Sequence, residues 1–112
     1  MVWTWPTEVE LLRELVAIPS VSGAEETIGQ LVERRAREWG LTVERSDDGV
    51  VVRVAGGRPG PTLAFISHLD TVPAGEGWTR PAFEPTIEGT LLYGRGSGDA
   101  KASVAAMLTA AH

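Results

Sequence analysis

The sequence has no cysteine among its 112 residues, which excludes disulfide bonds and thiolate metal sites. Any metal ion must therefore be held by histidine, aspartate or glutamate. No apolar run approaches the roughly 20 residues that cross a bilayer, and the opening MVWTWP lacks the basic region and apolar stretch of a signal peptide. The net charge of −5 disfavours nucleic acid or an anionic membrane as the main partner. We therefore expect a cytoplasmic protein.

The residues that are present indicate a single globular domain. Hydrophobic residues make up 43% of the chain and charged residues 22%, shares that are typical of a soluble folded protein. A chain of 112 residues is one domain at most and is long enough to bury an ordinary core.

Two amphipathic helices are predicted in the first part of the chain. Thr7 and Glu10 fit a capping box in front of apolar residues at helical spacing, and Ser22 and Glu25 repeat that pattern before a second helix. Gly40 is suited to end the second helix, since glycine accepts a left-handed conformation at little cost. The apolar stripe of this second helix consists of Ile28, Leu31, Val32, Ala36 and Trp39.

The apolar period then changes to that of strands. Residues 41–54 predict a hairpin around an Asp-Asp-Gly turn, and residues 85–93 predict a shorter one. Residues 62–67, TLAFIS, are typical of a strand buried on both faces between helices. From about Lys101 the sequence pattern predicts a helix that is apolar on nearly every side, which is typical of a helix buried between layers. That helix has no C-terminal glycine or basic last turn, so we expect the chain to be a fragment.

His68 follows the predicted strand, at the edge where open α/β sheets place their ligands. Asp70 is two residues further on, and on an extended chain the two side chains point to the same side. A neutral imidazole is a good zinc ligand, and a metal-bound histidine usually gives its second N–H to a carboxylate, carbonyl or water. Taken alone, the pattern favours a plain loop histidine bonded to a neighbouring aspartate.

A second motif, GRGSGDAK at residues 94–101, places Asp99 between a glycine-rich turn and a helix. One interpretation is that Asp99 only caps that helix. A dinucleotide site would need glycine in place of Asp99, and a phosphate loop would need Gly-Lys-Ser/Thr at residues 100–102, which read AKA. A carboxylate at a helix start, beside a strand end that carries histidine, suits a hard or borderline metal.

The stretch SHLDTVPAGEGWTRPAF, the stretch EGTLLYGRGSGDAKASVAAM and the opening VELLRELVAIPSVSGAEE resemble the zinc-dependent M20 family. The resemblance implies that His68 ligates one zinc, that Asp70 is the catalytic carboxylate that orients His68, and that Asp99 bridges two zincs. Cobalt or manganese are possible substitutes. One departure is Ala102, where many members have glycine.

The resemblance also implies a fold and a domain organisation. Residues 1–112 would be the N-terminal part of a zinc exopeptidase-like catalytic domain, a three-layer α/β/α arrangement with a mixed sheet. The rest of the catalytic segment and a dimerisation and lid domain would lie outside this chain, and the intact protein would be a homodimer.

The function that the resemblance implies for the intact protein is hydrolysis of the amide of an N-acyl amino acid. N-acetylornithine deacetylation, in arginine biosynthesis, is the first choice because HLDTVPAGEGW, PAF and YGRGSGDAK look most like that branch. A succinyl-diaminopimelate desuccinylase, an M20 carboxypeptidase and an aminoacylase are the alternatives. The non-enzymatic alternative is a truncated, inactive α/β interaction module that docks through its apolar terminal helix.

Four other side chains are given no catalytic role. Lys101 is interpreted as a solvated cation at a helix start, and Arg95 as a brace for the glycine loop. Trp78 is interpreted as loop packing, and His112 matches no motif position.

The 112-residue chain by itself is predicted to bind zinc weakly and to hydrolyse nothing. His68 and Asp99 are two direct ligands, whereas a catalytic zinc usually has about three from protein. The resemblance places the general-base glutamate downstream of this chain. Elemental analysis after dialysis should find less than stoichiometric zinc, and N-acetylornithine should not turn over. Stoichiometric zinc or measurable turnover contradicts the prediction.

Overall fold

The computed structural model describes residues 7–112. Its elements, in chain order, are helices α1 (Thr7–Ala17) and α2 (Glu26–Glu38), strands β1 (Thr42–Ser46), β2 (Gly49–Arg53), β3 (Thr86–Glu88) and β4 (Leu91–Tyr93), and helix α3 (Ala102–Ala111). The four strands form two separate antiparallel pairs, β1 with β2 and β3 with β4. Within this part of the chain, no helix has both the length and the apolar character needed to cross a membrane.

The core lies where the three helices meet. Helix α1 packs on α3, and α2 packs on the hairpin of β1 and β2. The predicted stripe of α2 is confirmed, with Trp39 partly buried at its edge. Each fully buried Leu, Ile or Val side chain contributes about 1.5–3 kcal/mol, so this cluster fixes the helices relative to one another. The cluster consists of Leu11, Leu15, Ile28, Leu31, Val32, Val104, Ala105 and Leu108.

Gly40 terminates helix α2 as predicted, two residues after its last residue, Glu38. Gly40 has a φ of +75°, and its N–H donates to the carbonyl oxygen of Arg37 at 3.0 Å. The N–H of Leu41 donates to the carbonyl oxygen of Ala36 at 2.9 Å. These two bonds form a Schellman motif, which satisfies carbonyls that the helix itself leaves without partners.

The predicted capping boxes are wrong, although both helices are confirmed. No side chain caps α2; Glu25 occupies the cap position, and its carboxylate accepts the N–H of Gly23 at 2.7 Å. The Ser22 hydroxyl is bonded to an aspartate instead of the helix start. In α1 the Glu10 carboxylate accepts a hydrogen bond from Arg13 at 3.3 Å. Ser22, Glu25 and Glu10 each bond to another group instead.

Both predicted hairpins are confirmed. In the first, Ser46 lies opposite Gly49, which leaves a two-residue loop of two aspartates. In the second, Ile87 lies opposite Leu92 and the turn contains a glycine at positive φ. Aspartate and glycine tolerate the backbone angles of such tight turns, which is why their positions predicted the hairpins well.

The predicted buried strand at residues 62–67 is wrong. The segment has no regular secondary structure, and the side chains of Leu63, Phe65 and Ile66 are 78%, 66% and 91% exposed. A strand of this kind needs neighbouring strands to pair its backbone and helices on both faces. The sheets within residues 7–112 supply no such neighbour. Helices with small antiparallel sheets agree with an α/β class, but the three layers are not formed by these residues.

Helix α3 is confirmed, and it buries one face rather than all of its surface. Val104 and Leu108 are buried, whereas Ala106 is exposed. Just beyond the helix, the ring of His112 stacks on that of Trp39 with 4.4 Å between centroids. His112 therefore packs the end of α3 against the end of α2, a role that its position in the sequence did not indicate.

The interpretation of Lys101 as a solvated cation is wrong. Its side chain is fully buried, and Nζ donates to the carbonyl oxygens of Leu15 at 2.8 Å and Ile18 at 2.9 Å. Carbonyls at a helix C-terminus lack intrahelical partners and carry partial negative charge, so an ammonium group is stabilised there. Burial lowers the pKa of Lys101 to about 8. Lys101 thus fastens the turn in front of α3 to the end of α1.

Replacing this lysine should destabilise the fold. Lys101→Met is expected to lower the free energy of unfolding by about 1–3 kcal/mol, because the carbonyls of Leu15 and Ile18 lose a buried partner. Urea denaturation followed by circular dichroism measures the change. Arg13→Met is the control, since its 3.3 Å ion pair with Glu10 is exposed and such pairs contribute about 0–1 kcal/mol. Equal stability of the two variants contradicts the assignment.

Candidate metal centre

Two segments that are distant in sequence meet at His68. Nε2 of His68 lies 3.0 Å from Oδ1 of Asp99, and Nδ1 lies 3.0 Å from Oδ1 of Asp70. Nδ1 also lies 3.1 Å from the backbone carbonyl oxygen of Asp70. The imidazole therefore has a carboxylate at each of its nitrogens, and the structure brings all three residues of the predicted site together.

A short stretch of parallel pairing holds the first half of the site. The N–H of Thr71 donates to the carbonyl of Ser20 at 2.9 Å, and the carbonyl of Thr71 accepts the N–H of Ser22 at 3.1 Å. The buried Ser20 hydroxyl donates to the carbonyl of Leu69 at 2.8 Å. Because Asp70 lies between Leu69 and Thr71, its backbone is fixed on both sides.

The second half of the site is the turn at Ser97–Lys101. Gly96, just before it, has a φ of +82°, and the N–H of Lys101 donates to the carbonyl of Gly96 at 3.0 Å. The peptide bond between Asp99 and Ala100 is cis. No side chain caps α3, and the 92% exposed carboxylate of Asp99 contacts His68. The alternative that Asp99 only caps the helix therefore does not hold.

Hydrogen bonds and neighbouring charges shift the pKa values of His68 and Asp70 in directions that favour their charged forms. Hydrogen bonds to the backbone of Asp70 and to the Asp99 carboxylate raise the pKa of His68 above its ordinary value. The hydrogen bond from Ser22, with a further contribution from His68, lowers the pKa of Asp70. Asp70 is therefore ionised at neutral pH and able to accept the N–H at Nδ1.

The donors that face each other suit a divalent metal. An imidazole nitrogen and a carboxylate oxygen are ligands of zinc and of other borderline cations. His68 is 48% exposed, and the site lines a cavity of about 240 Å³, so an ion can enter from solvent. Within residues 7–112, no cluster of three or more His, Asp or Glu side chains is arranged to hold a metal. The residues present fit two positions of a centre, fewer than a catalytic zinc usually requires.

Arg95 braces the neighbouring loop, as the sequence indicated. Its guanidinium donates to the carbonyl of Ala74 at 2.9 Å and lies 5.1 Å from the centroid of the Trp78 ring. The indole N–H of Trp78 donates to the same carbonyl at 2.7 Å. The backbone N–H of Arg95 donates to the carbonyl of Ala82 at 2.7 Å. The loop at residues 74–82 is thus tied to the glycine-rich turn beside the site.

Ser22 is a residue of the site that sequence reasoning missed. Its hydroxyl donates to Oδ2 of Asp70, the oxygen that His68 does not contact. A serine three residues before a glutamate at a helix start is a capping signal, and that signal does not distinguish the two roles.

Comparison with known proteins agrees with the geometry. The model of peptidase family M20/M25/M40 matches residues 64–112, the part that contains His68, Asp70 and Asp99. The chain is also 40% identical over 111 residues to a succinyl-diaminopimelate desuccinylase from Sphingopyxis alaskensis. The chain belongs to peptidase family M20. That alignment covers 92% of this M20 chain and 29% of the relative, so the chain spans less than a third of the relative's length.

The glycine-rich turn of the M20 chain should not tolerate a side chain at Gly96. A Cβ there would lie 2.5 Å from Cγ2 of Thr71, and a φ of +82° is strained for alanine. Gly96→Ala is expected to lower the free energy of unfolding by about 2–4 kcal/mol through strain and overpacking. Gly98→Ala is the matched control, because a Cβ at Gly98 meets no atom within 4 Å. Denaturant titration of both variants checks this, and equal midpoints would contradict it.

Proposed function

We propose that the intact protein is a metal-dependent hydrolase that cleaves the amide of an N-acyl amino acid. The observation that carries the proposal is the 3.0 Å approach of His68 Nε2 to Asp99 Oδ1, at a point open to solvent. It joins a nitrogen donor and an oxygen donor from two distant segments. Membership of the M20 family and a relative named as a desuccinylase support an amidohydrolase.

Each residue of the site has a proposed role. His68 would be a zinc ligand through Nε2, and Asp99 would be the carboxylate that bridges two zincs. Asp70 would accept the N–H at Nδ1 and leave the lone pair of Nε2 free for the metal. When bound, zinc would polarise the substrate carbonyl and lower the pKa of a bound water to about 7. Cobalt or manganese could occupy the same donors.

The remaining parts of the catalytic domain are proposed to come from outside residues 1–112. The match of this chain to 29% of the relative's length supports that division, as does the number of ligands. In the intact domain, of zinc exopeptidase type with three layers, residues 62–67 would join a mixed sheet. Their exposed apolar side chains, Leu63, Phe65 and Ile66, would then be covered.

Two N-acyl amino acids are the candidate substrates. The motifs favour N-acetylornithine, and the name of the relative favours N-succinyl-diaminopimelate. We also propose a homodimeric, cytoplasmic enzyme. The alternative of an interaction module that docks through α3 is less favoured, because Val104, Ala105 and Leu108 are already buried in the core.

A full-length enzyme that carries residues 1–112 should hydrolyse one of the two substrates when supplied with zinc. Outer ligands of metal sites contribute about 10–100-fold, so Asp70→Asn should lose activity in that range. His68→Ala and Asp99→Ala, which remove direct ligands, should lose about 100-fold or more. Asp47→Asn, at an exposed hairpin loop, is the control and should keep full activity.

Steady-state kinetics with both substrates is the measurement. A kcat/KM higher for the succinylated substrate would settle the choice for desuccinylation, and the reverse would settle it for deacetylation. Full activity of the His68 and Asp99 variants contradicts the proposed function.

A further inference from the structure

We propose that Ser22 is a positioning residue, which orients the imidazole of His68 by holding the carboxylate of Asp70. The inference rests on the proposed metal centre for its purpose, although the contacts themselves are independent of any metal. It extends the site to the loop between α1 and α2, where the sequence predicted no site residue.

The two oxygens of Asp70 have different partners. Oδ1 lies 3.0 Å from Nδ1 of His68, and Oδ2 accepts the hydroxyl hydrogen of Ser22. A carboxylate bonded through one oxygen can still rotate about its Cβ–Cγ bond. The bond from Ser22 to Oδ2 and the 3.0 Å contact of Oδ1 with Nδ1 together restrict that rotation. They thus set the direction from which the carboxylate faces a ring nitrogen that also lies 3.1 Å from the backbone carbonyl oxygen of Asp70.

The hydroxyl of Ser22 is itself held by the backbone. The N–H of Ser22 donates to the carbonyl of Thr71 at 3.1 Å. That carbonyl is also 3.4 Å from the Ser22 hydroxyl oxygen, a weak competitor for its hydrogen. The parallel pairing of residues 20–22 with the segment that carries Asp70 thus fixes the position of the hydroxyl relative to the carboxylate. A water molecule at the same place would not be held in this way.

No cation replaces this hydroxyl. Among the ion pairs of residues 7–112, Asp70 takes part only in the one with His68. The nearest serine along the chain, Ser20, donates its hydroxyl to the carbonyl of Leu69. The orientation of Asp70 at Oδ2 therefore depends on Ser22.

The experiment compares Ser22→Ala with Ser22→Thr and Ser20→Ala in the 112-residue chain. Long-range ¹H–¹⁵N NMR reports which imidazole nitrogen carries the proton. The spectra are recorded at a single pH, high enough for the imidazole to be neutral. The sequence has 2 histidines, so His112→Gln assigns the signals and His112 serves as an internal reference. Circular dichroism confirms that each variant is folded.

We expect Ser22→Ala to shift the His68 proton from Nδ1 towards Nε2, and Ser22→Thr to retain the native nitrogen shifts. Ser20→Ala, which removes a buried bond, should lower the melting temperature while leaving the His68 shifts unchanged. Zinc titration followed at the same signals should show Ser22→Ala binding about threefold to tenfold more weakly, since Ser22 is one contact beyond groups whose loss costs about 10–100-fold.

The outcomes separate the two proposals. Native His68 shifts in Ser22→Ala, or a change no larger than in Ser20→Ala, overturn the role of Ser22. A wild-type chain whose His68 signals do not respond to zinc contradicts weak zinc binding by these residues alone, while the proton position in the metal-free variants still decides on Ser22.

Discussion

Both halves of the site are attached to one short stretch of chain, the end of α1 and the loop that follows it. The segment that carries His68 is paired to this stretch through Thr71, which bonds to the backbones of Ser20 and Ser22. The turn that carries Asp99 is fastened to it by Lys101, whose ammonium bonds to carbonyls at the end of α1. The position of the imidazole relative to the carboxylate is therefore set by residues 15–22, which contain no metal ligand.

The electrostatics of the site follow from this arrangement. Asp70 and Asp99 place two carboxylates around one imidazole, and among residues 7–112 His68 is the ion-pair partner of both. Hydrogen bonds stabilise the charged forms of these groups, and they lower the pKa of Asp70 and raise that of His68. A divalent cation would be the largest local charge in such a site and would reverse the tendency of His68 to take up a proton.

Local patterns predicted the elements whose stability is local. The stripe of α2, the glycine at its end and both hairpins follow from periodicity and turn chemistry, and all were confirmed. The distinctive motifs around His68, Asp70 and Asp99 predicted three side chains that the structure places in contact, and their role as a metal site stays a prediction. The strand at residues 62–67 was wrong because burial of such a strand depends on neighbours distant in sequence.

Lys101 and Ser22 were misassigned for a related reason. The carbonyl partners of Lys101 lie 86 and 83 residues away, and the partner of Ser22 lies 48 residues away. A lysine at a helix start and a serine before a glutamate look the same whether they face solvent or a distant backbone. The packing of α3 on α1 determines that the lysine faces a distant backbone and not solvent. The parallel pairing determines the partner of the serine in the same way.

The burial of Lys101 has a chemical consequence for handling the protein. It is the only lysine in the sequence, since the other basic residues are arginines, and its amino group is enclosed between α1 and the glycine-rich turn. Reagents that acylate or alkylate primary amines would then leave this lysine unmodified for as long as α1 and the glycine-rich turn stay packed together.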